Sequence, residues 1–265
     1  MSYIPGLVQE PDFIASTTGF VNGHAAISIA LLGRRSLGWG STSVPGGVSN
    51  YLDTSQNVNN NVLLGTDYYL RSSSASDTAA GIGAQSMRIV YLDSGGLLQT
   101  MTVAMNGTTG VLIGNGISYI ESMELASVGA NLNTVGSISI STVVGAPTTA
   151  QIVEYIQAAS THSRSGRYKI PVGRIGYLHS WDVTALGNNQ DVAVRATIFT
   201  DSHEISTVFN SIDNLFVTGG SGHTSMSLHW VKIPAGAEIR ISSIPTAAAA
   251  ANRLDITLNL LLLTD

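Results

Sequence analysis

The segment Lys169-Ile170-Pro171-Val172-Gly173 recurs as Lys232-Ile233-Pro234-Ala235-Gly236. The first copy runs into Arg174-Ile175-Gly176-Tyr177-Leu178-His179-Ser180-Trp181, the second into Glu238-Ile239-Arg240-Ile241-Ser242-Ser243-Ile244. Proline fixes φ and favours position i+1 of a turn, and the glycine two residues later accepts positive φ. An apolar residue before the proline and alternation after the glycine describe a strand–turn–strand corner. Two such corners in one C-terminal half point to an all-β fold, an antiparallel β-sandwich of jelly-roll-like type.

The same signals extend outward. Toward the N-terminus, strands are expected at residues 62–64, 68–72, 85–92, 97–105, 111–113, 119–127 and 137–143. Asp93-Ser94-Gly95-Gly96 and Asn106-Gly107 read as hairpin turns, because Asp, Asn and Gly tolerate the positive φ of tight hairpins. Toward the C-terminus, strands are expected at 166–170, 176–185, 191–200, 206–217, 223–233, 238–243 and 253–263. Spacing of about 8–12 residues between strand starts is the sandwich or barrel signature. Residues 147–160 break the pattern. Ile152, Tyr155, Ile156 and Ala159 fall at helical spacing behind a capping threonine, although 151–158 also alternates as a strand would. The preferred reading is a linker or short helix. The expected organisation is therefore an extended N-terminal arm over 1–60, a β-lobe over 61–146, the linker or helix over 147–165, and a β-sandwich lobe over 166–265.

Composition narrows the function classes. Charged residues make up 11% of the 265-residue chain, against about 25% in an average soluble protein. A free monomer ordinarily carries more charge than this, whereas a subunit inside an assembly needs less. The formal net charge is -5 with no basic stripe, so no nucleic-acid partner is expected. There is no cysteine, hence no disulfide framework and no Cys-based zinc site. The start, Met1-Ser2-Tyr3-Ile4-Pro5-Gly6, lacks a basic and an apolar region and does not read as a signal peptide. The longest apolar runs, 25–32 and 258–263, are far short of a membrane-spanning helix, so no membrane partner is expected either.

Motifs for chemistry are absent. His203-Glu204 begins a zinc motif, but Thr207 stands where its second histidine is required. His179, His223 and His229 would form a metal site only if the strands brought all three together. Gly81-Ile82-Gly83 has no following Gly-Lys-Ser/Thr and is no phosphate loop. No Gly-x-Ser-x-Gly elbow occurs. No enzyme activity, cofactor or metal is expected.

One stretch is more specific. Residues 72–93, Ser72-Ser73-Ser74-Ala75-Ser76-Asp77-Thr78-Ala79-Ala80-Gly81-Ile82-Gly83-Ala84 and onward, continue to Thr100-Met101-Thr102-Val103-Ala104-Met105-Asn106-Gly107-Thr108-Thr109. With a Gly-rich, Trp-containing segment from Gly33 to Gly40, the run from Tyr168 to Trp181, the second Ile-Pro-x-Gly turn and the terminal leucines, this resembles a pattern in β-rich virion structural proteins of tailed bacteriophages and large aquatic viruses. Tyr91, where that pattern has Gly, and Met101 depart from it. The resemblance implies a non-enzymatic particle component located in the virion: a capsid decoration, cement or minor capsid subunit. The alternative is a tail or fibre-base protein contributing to host attachment. It carries no catalytic residues. The expected partners are other copies of the chain, as a homo-oligomer and most simply a homotrimer, together with a major capsid protein or other virion proteins. Candidate assembly residues are the apolar members of the arm, Phe13, Phe20, Ile27, Ile29, Leu31 and Trp39. Trp181 and Trp230 are the candidate core anchors, on apolar phases of their strands.

Overall fold

A computed structural model describes residues 35–37, 50–51, 65–148, 151–163, 167–186, 192–199, 210–217, 223–245 and 253–264. The described residues are almost entirely strand and turn. The chain divides into two compact units, Asp53–Ser165 and a discontinuous one made of Met1–Leu52 with Gly166–Asp265.

The inserted unit, Asp53–Ser165, holds β3 (Tyr68–Ser72), β4 (Ala84–Asp93), β5 (Leu98–Ala104), β6 (Val111–Gly114), β7 (Ile117–Val128), β8 (Ile138–Ser141) and β9 (Ile152–Ile156). They form two antiparallel sheets, β6-β3-β8-β9 and β5-β4-β7. Alternation places one face of each strand in the shared core. Tyr68 and Leu70 of β3, Met87 and Ile89 of β4, Ile120 and Met123 of β7, and Ile138 and Ile140 of β8 are all fully buried. Each such side chain contributes about 1.5–3 kcal/mol of transfer free energy. Between Met87 and Ile89, Arg88 points outward and pairs with Glu124 across β7. The pair is exposed and adds little stability.

Two local readings are corrected here. Residues 152–156, expected within a linker or short helix, are strand β9, paired with β8 through Ile138↔Ile156 and Ile140↔Glu154. The helix-start signal is physically present. The backbone N–H and hydroxyl of Thr148 both donate to the Gln151 side-chain oxygen, and the Gln151 N–H returns to the Thr148 carbonyl. The β-branched Ile152, Val153 and Ile156 then leave that turn as a strand, buried on both faces. Asn106-Gly107 is likewise a turn but not a hairpin. β5 and β6 on its two sides belong to different sheets, so it carries the chain from one layer to the other. Asp93–Gly96 does close a hairpin, between β4 and β5.

The discontinuous unit holds β1 (Arg35–Leu37), β2 (Asn50–Tyr51), β10 (Arg167–Lys169), β11 (Arg174–Leu186), β12 (Val192–Phe199), β13 (Asn210–Val217), β14 (His223–Ile233), β15 (Glu238–Pro245) and β16 (Arg253–Thr264). One sheet runs β1-β16-β11-β14 and the other β10-β15-β12-β13, with β2 also on β15. On β15, Asn50 and Tyr51 face Ser243 and Ser242, while Arg167, Tyr168 and Lys169 face Arg240, Ile239 and Glu238. Only the position of Ile241 separates them. β2 and β10 are thus two halves of one edge strand, interrupted by the inserted unit.

Counting β2 and β10 as one, the described residues of this unit form eight strands. The first pairs with the eighth, the second with the seventh, the third with the sixth and the fourth with the fifth, all antiparallel. The eighth also pairs with the third, and the seventh with the fourth. This is one long hairpin folded over into two four-stranded sheets, the jelly-roll connectivity, and it fixes the fold class expected from the repeat.

The two copies of that repeat meet. Ile170 N–H donates to the Ala237 carbonyl at 2.8 Å, and Gly236 N–H to the Ile170 carbonyl at 2.8 Å. Each copy closes its own turn, Arg174 N–H to Pro171 O and Ala237 N–H to Pro234 O. Gly173 (φ 75°) and Gly236 (φ 77°) therefore occupy position i+2, and proline sits at position i of the turn, not at the i+1 expected from sequence. Ile170, Ile233, Ala237 and Ile239 beneath these turns are fully buried, as is Leu178 of β11.

Candidate functional site

The segment that carries the family resemblance folds into a knot around one carboxylate. Asp77 is fully buried. Its Oδ1 accepts from the Ala84 N–H at 2.7 Å and the Val135 N–H at 3.0 Å, its Oδ2 from the Ser72 hydroxyl at 2.6 Å and the Gly136 N–H at 2.8 Å. The Asp77 backbone carbonyl accepts from Gly107 N–H at 2.7 Å, and the Gly107 carbonyl in turn accepts from Ser72 N–H. Asp77 thereby ties the end of β3, the start of β4 and the approach to β8 through its carboxylate, and the corner at 106–107 through its backbone carbonyl. The sheet-changing role of Asn106-Gly107 follows from this. A β-carbon at Gly83 would run into the Asp77 carboxylate and the Val135 side chain, so glycine is needed there for close approach. With four donors on two oxygens and no exposure, Asp77 has nothing left to offer a substrate or an ion. It is a structural centre.

Beside the knot, Asn131 N–H donates to the Ile82 carbonyl, and Ile82 and Leu132 are exposed apolar side chains, Leu132 at 75%. Asp93 organises the β4–β5 hairpin. Its carboxylate accepts from the Gln99 amide and from the N–H groups of Leu97 and Gly95. These bonds, the Gln99 amide foremost, hold its pKa below the ordinary value.

Of the sequence candidates, Phe13, Phe20, Ile27, Ile29, Leu31 and Trp39 lie outside the described residues. The described parts of the expected arm, 35–37 and 50–51, are short strands paired with β16 and β15. Trp181 lies on β11 opposite Met226 and Leu258. Trp230 lies on β14 in the stretch across from His179, where the register shifts. The side chains of both are outside the description. His229 shares that stretch, whereas His223 faces Thr184 toward the other end of the strand pair, so the backbone does not gather the three histidines at one place. Among the described residues no group of three or more His, Asp or Glu is placed to hold a metal ion.

No protein-family model and no curated protein sequence matches the chain. Among solved structures it is similar to the carbohydrate-binding module TmCBM61 in complex with beta-1,4-galactotriose, at 14% identity and TM-score 0.22, over 49% of this chain and 64% of that one. It is also similar to the infectious bursal disease virus VP2 subviral particle, at 13% identity and TM-score 0.24, over 86% of this chain and 69% of that one. A structure of the infectious bursal disease virus Gx strain matches at 10% identity and TM-score 0.14, over 86% and 66%. The chain thus spans less than two thirds of the first of these structures. TM-scores this low establish neither fold nor function.

Proposed function

We propose that the chain is a non-enzymatic structural protein of a virus particle, acting as a shell component of the decoration, cement or minor capsid type. The observation that supports this best is the interrupted jelly roll. Jelly rolls recur in viral capsid and lectin domains, and here one is combined with a second, inserted β-lobe that has its own core. The inference from fold to role is by analogy. Three features favour it: the resemblance carried by residues 72–109, the 11% charge content, and the use of the one deeply buried carboxylate of the motif for structure. The reading includes self-association into a homo-oligomer, trimeric in the simplest case, and contact with other virion proteins.

Quantitative mass spectrometry of purified particles tests it. A copy number comparable to that of the main shell protein supports the shell role. A few copies per particle, enriched in tail fractions, would favour the fibre-base role. Absence from particles would overturn the reading.

A further inference from the structure

The two ends of the three-stranded sheet β5-β4-β7 are treated differently. The outer edge of β7 is occupied: Leu125 N–H donates to Thr161 O at 2.8 Å, Ser163 N–H to Met123 O at 2.7 Å, and Met123 N–H to Ser163 Oγ at 2.9 Å. β7 also carries Glu121 and Glu124 and pairs with β4 through four register shifts. β5 has none of this. Among the described residues it pairs with β4 alone, through seven consecutive partners without a bulge, from Ser86↔Ala104 to Leu92↔Leu98. It has no proline, and residues 94–120 contain no Asp, Glu, Lys, Arg or His. Leu98, Gln99, Thr100, Thr102 and Ala104 are exposed, and so is Leu97 just before them. Natural edge strands are ordinarily blunted by charge, proline, bulges, shortness or a cover. β6, the end strand of the other sheet, is short and joins β3 through a register shift. Among the described residues the edge of β5 is long, regular and bare.

We propose that this edge is a self-association surface, on which β5 of a second copy pairs antiparallel to give a continuous six-stranded sheet, β7-β4-β5 from each chain. The occupant is argued from charge and side-chain fit. β5 itself offers no charged side chain to a partner of either sign, whereas a second copy meets this neutral strand without like-charge repulsion from it. Centring the pair on Met101 sets Thr100 opposite Thr102 of the second copy and Leu98 opposite Ala104. Thr–Thr pairs across strands are favourable, and a large residue then meets a small one. Seven residues span about 23 Å. A contact of this length falls below the ~1,000 Å² of a stable free-standing interface, so it gains strength where other surfaces already hold copies together. The inference rests on the edge itself and stands apart from the particle reading.

The absence of native cysteine makes the test clean. Full-length Thr100→Cys and Thr102→Cys chains, one carrying a size tag, are oxidised separately and as a mixture, with the exposed loop variant Ala130→Cys as control. The mixture is expected to form the mixed disulfide about tenfold or more faster than the control, through the high effective concentration of a paired strand. Rapid dimers of one edge variant alone would also support pairing, in a shifted register. Rates equal to that of Ala130→Cys in all three samples would overturn the proposal. None of these outcomes bears on whether the protein belongs to a particle.

Discussion

Tyr51 and Arg167 are two register positions apart on one strand: Tyr51 faces Ser242 of β15 and Arg167 faces Arg240. At about 3.3 Å per residue, the inserted unit leaves and re-enters the jelly roll across roughly 7 Å. Insertions whose ends lie this close leave the host sheet intact. The ladder on β15 resumes in register, and its neighbour on the other side, β12, pairs with β15 through eight consecutive partners without a shift.

Asp77→Ala strands four donors at the centre of the inserted unit, three of them backbone N–H groups that no side-chain change can re-aim. The expected loss is about 3 kcal/mol or more in denaturant unfolding of that unit. Asp77→Asn keeps two acceptor lone pairs but turns a donor on one of the N–H groups or on Ser72, and should lose nearly as much. A loss under about 0.5 kcal/mol, the level of an ordinary surface change, would contradict the knot.

Gly173→Ala and Gly236→Ala meet open space, so their cost is the left-handed backbone alone, about 1–2 kcal/mol each. Because Ile170 bonds both to Ala237 and to Gly236, the double variant should depart from additivity. Urea unfolding of the two single variants and the double variant measures this. Strict additivity would mean that the two corners fold without sensing each other.

The Asp93 carboxylate is held below its ordinary pKa by the Gln99 amide first and then by the Leu97 N–H; burial opposes this, and the Gly95 N–H adds to the lowering. A lowered folded pKa places the stabilisation above the unfolded-state pKa, and it is lost as pH falls through the folded one. The amide shifts of Gly95 and Leu97 in an NMR titration should therefore move together, with a midpoint below that of an unstructured aspartate. Gln99→Ala should raise that midpoint. A midpoint at or above the free value would contradict the hairpin geometry.

Much of the fold is legible locally. β3 (Tyr68–Ser72) and β14 (His223–Ile233) begin and end where alternation and turn residues place them, because both signals lie within a few residues. Pairing partners are not legible in this way. Asn106-Gly107 has the composition of a hairpin, yet its neighbours are set by Asp77 and Ser72, roughly thirty positions earlier. Residues 152–156 satisfy two periods at once, and their burial on both faces, a tertiary fact, decides for strand. The split strand at Tyr51 and Arg167 depends on a shared partner near the C-terminus, which no window of sequence contains. The knot had a usable signal: Asp77 is the one charged residue between Arg71 and Arg88, in a Ser- and Gly-rich run where a lone carboxylate is best explained by backbone donors.

The most direct test of the architecture is excision. Residues 53–165 are replaced by a short Gly-Ser linker, residues 53–165 are expressed alone, and both pieces are followed by circular dichroism during thermal unfolding. The interrupted jelly roll predicts a β-type spectrum and a cooperative transition for each piece, since β2 and β10 still share β15 and the inserted unit keeps its own core. If closing the gap between Tyr51 and Arg167 leaves the remaining chain without a cooperative transition, while intact chain unfolds cooperatively, the two segments do not form one strand and the account fails.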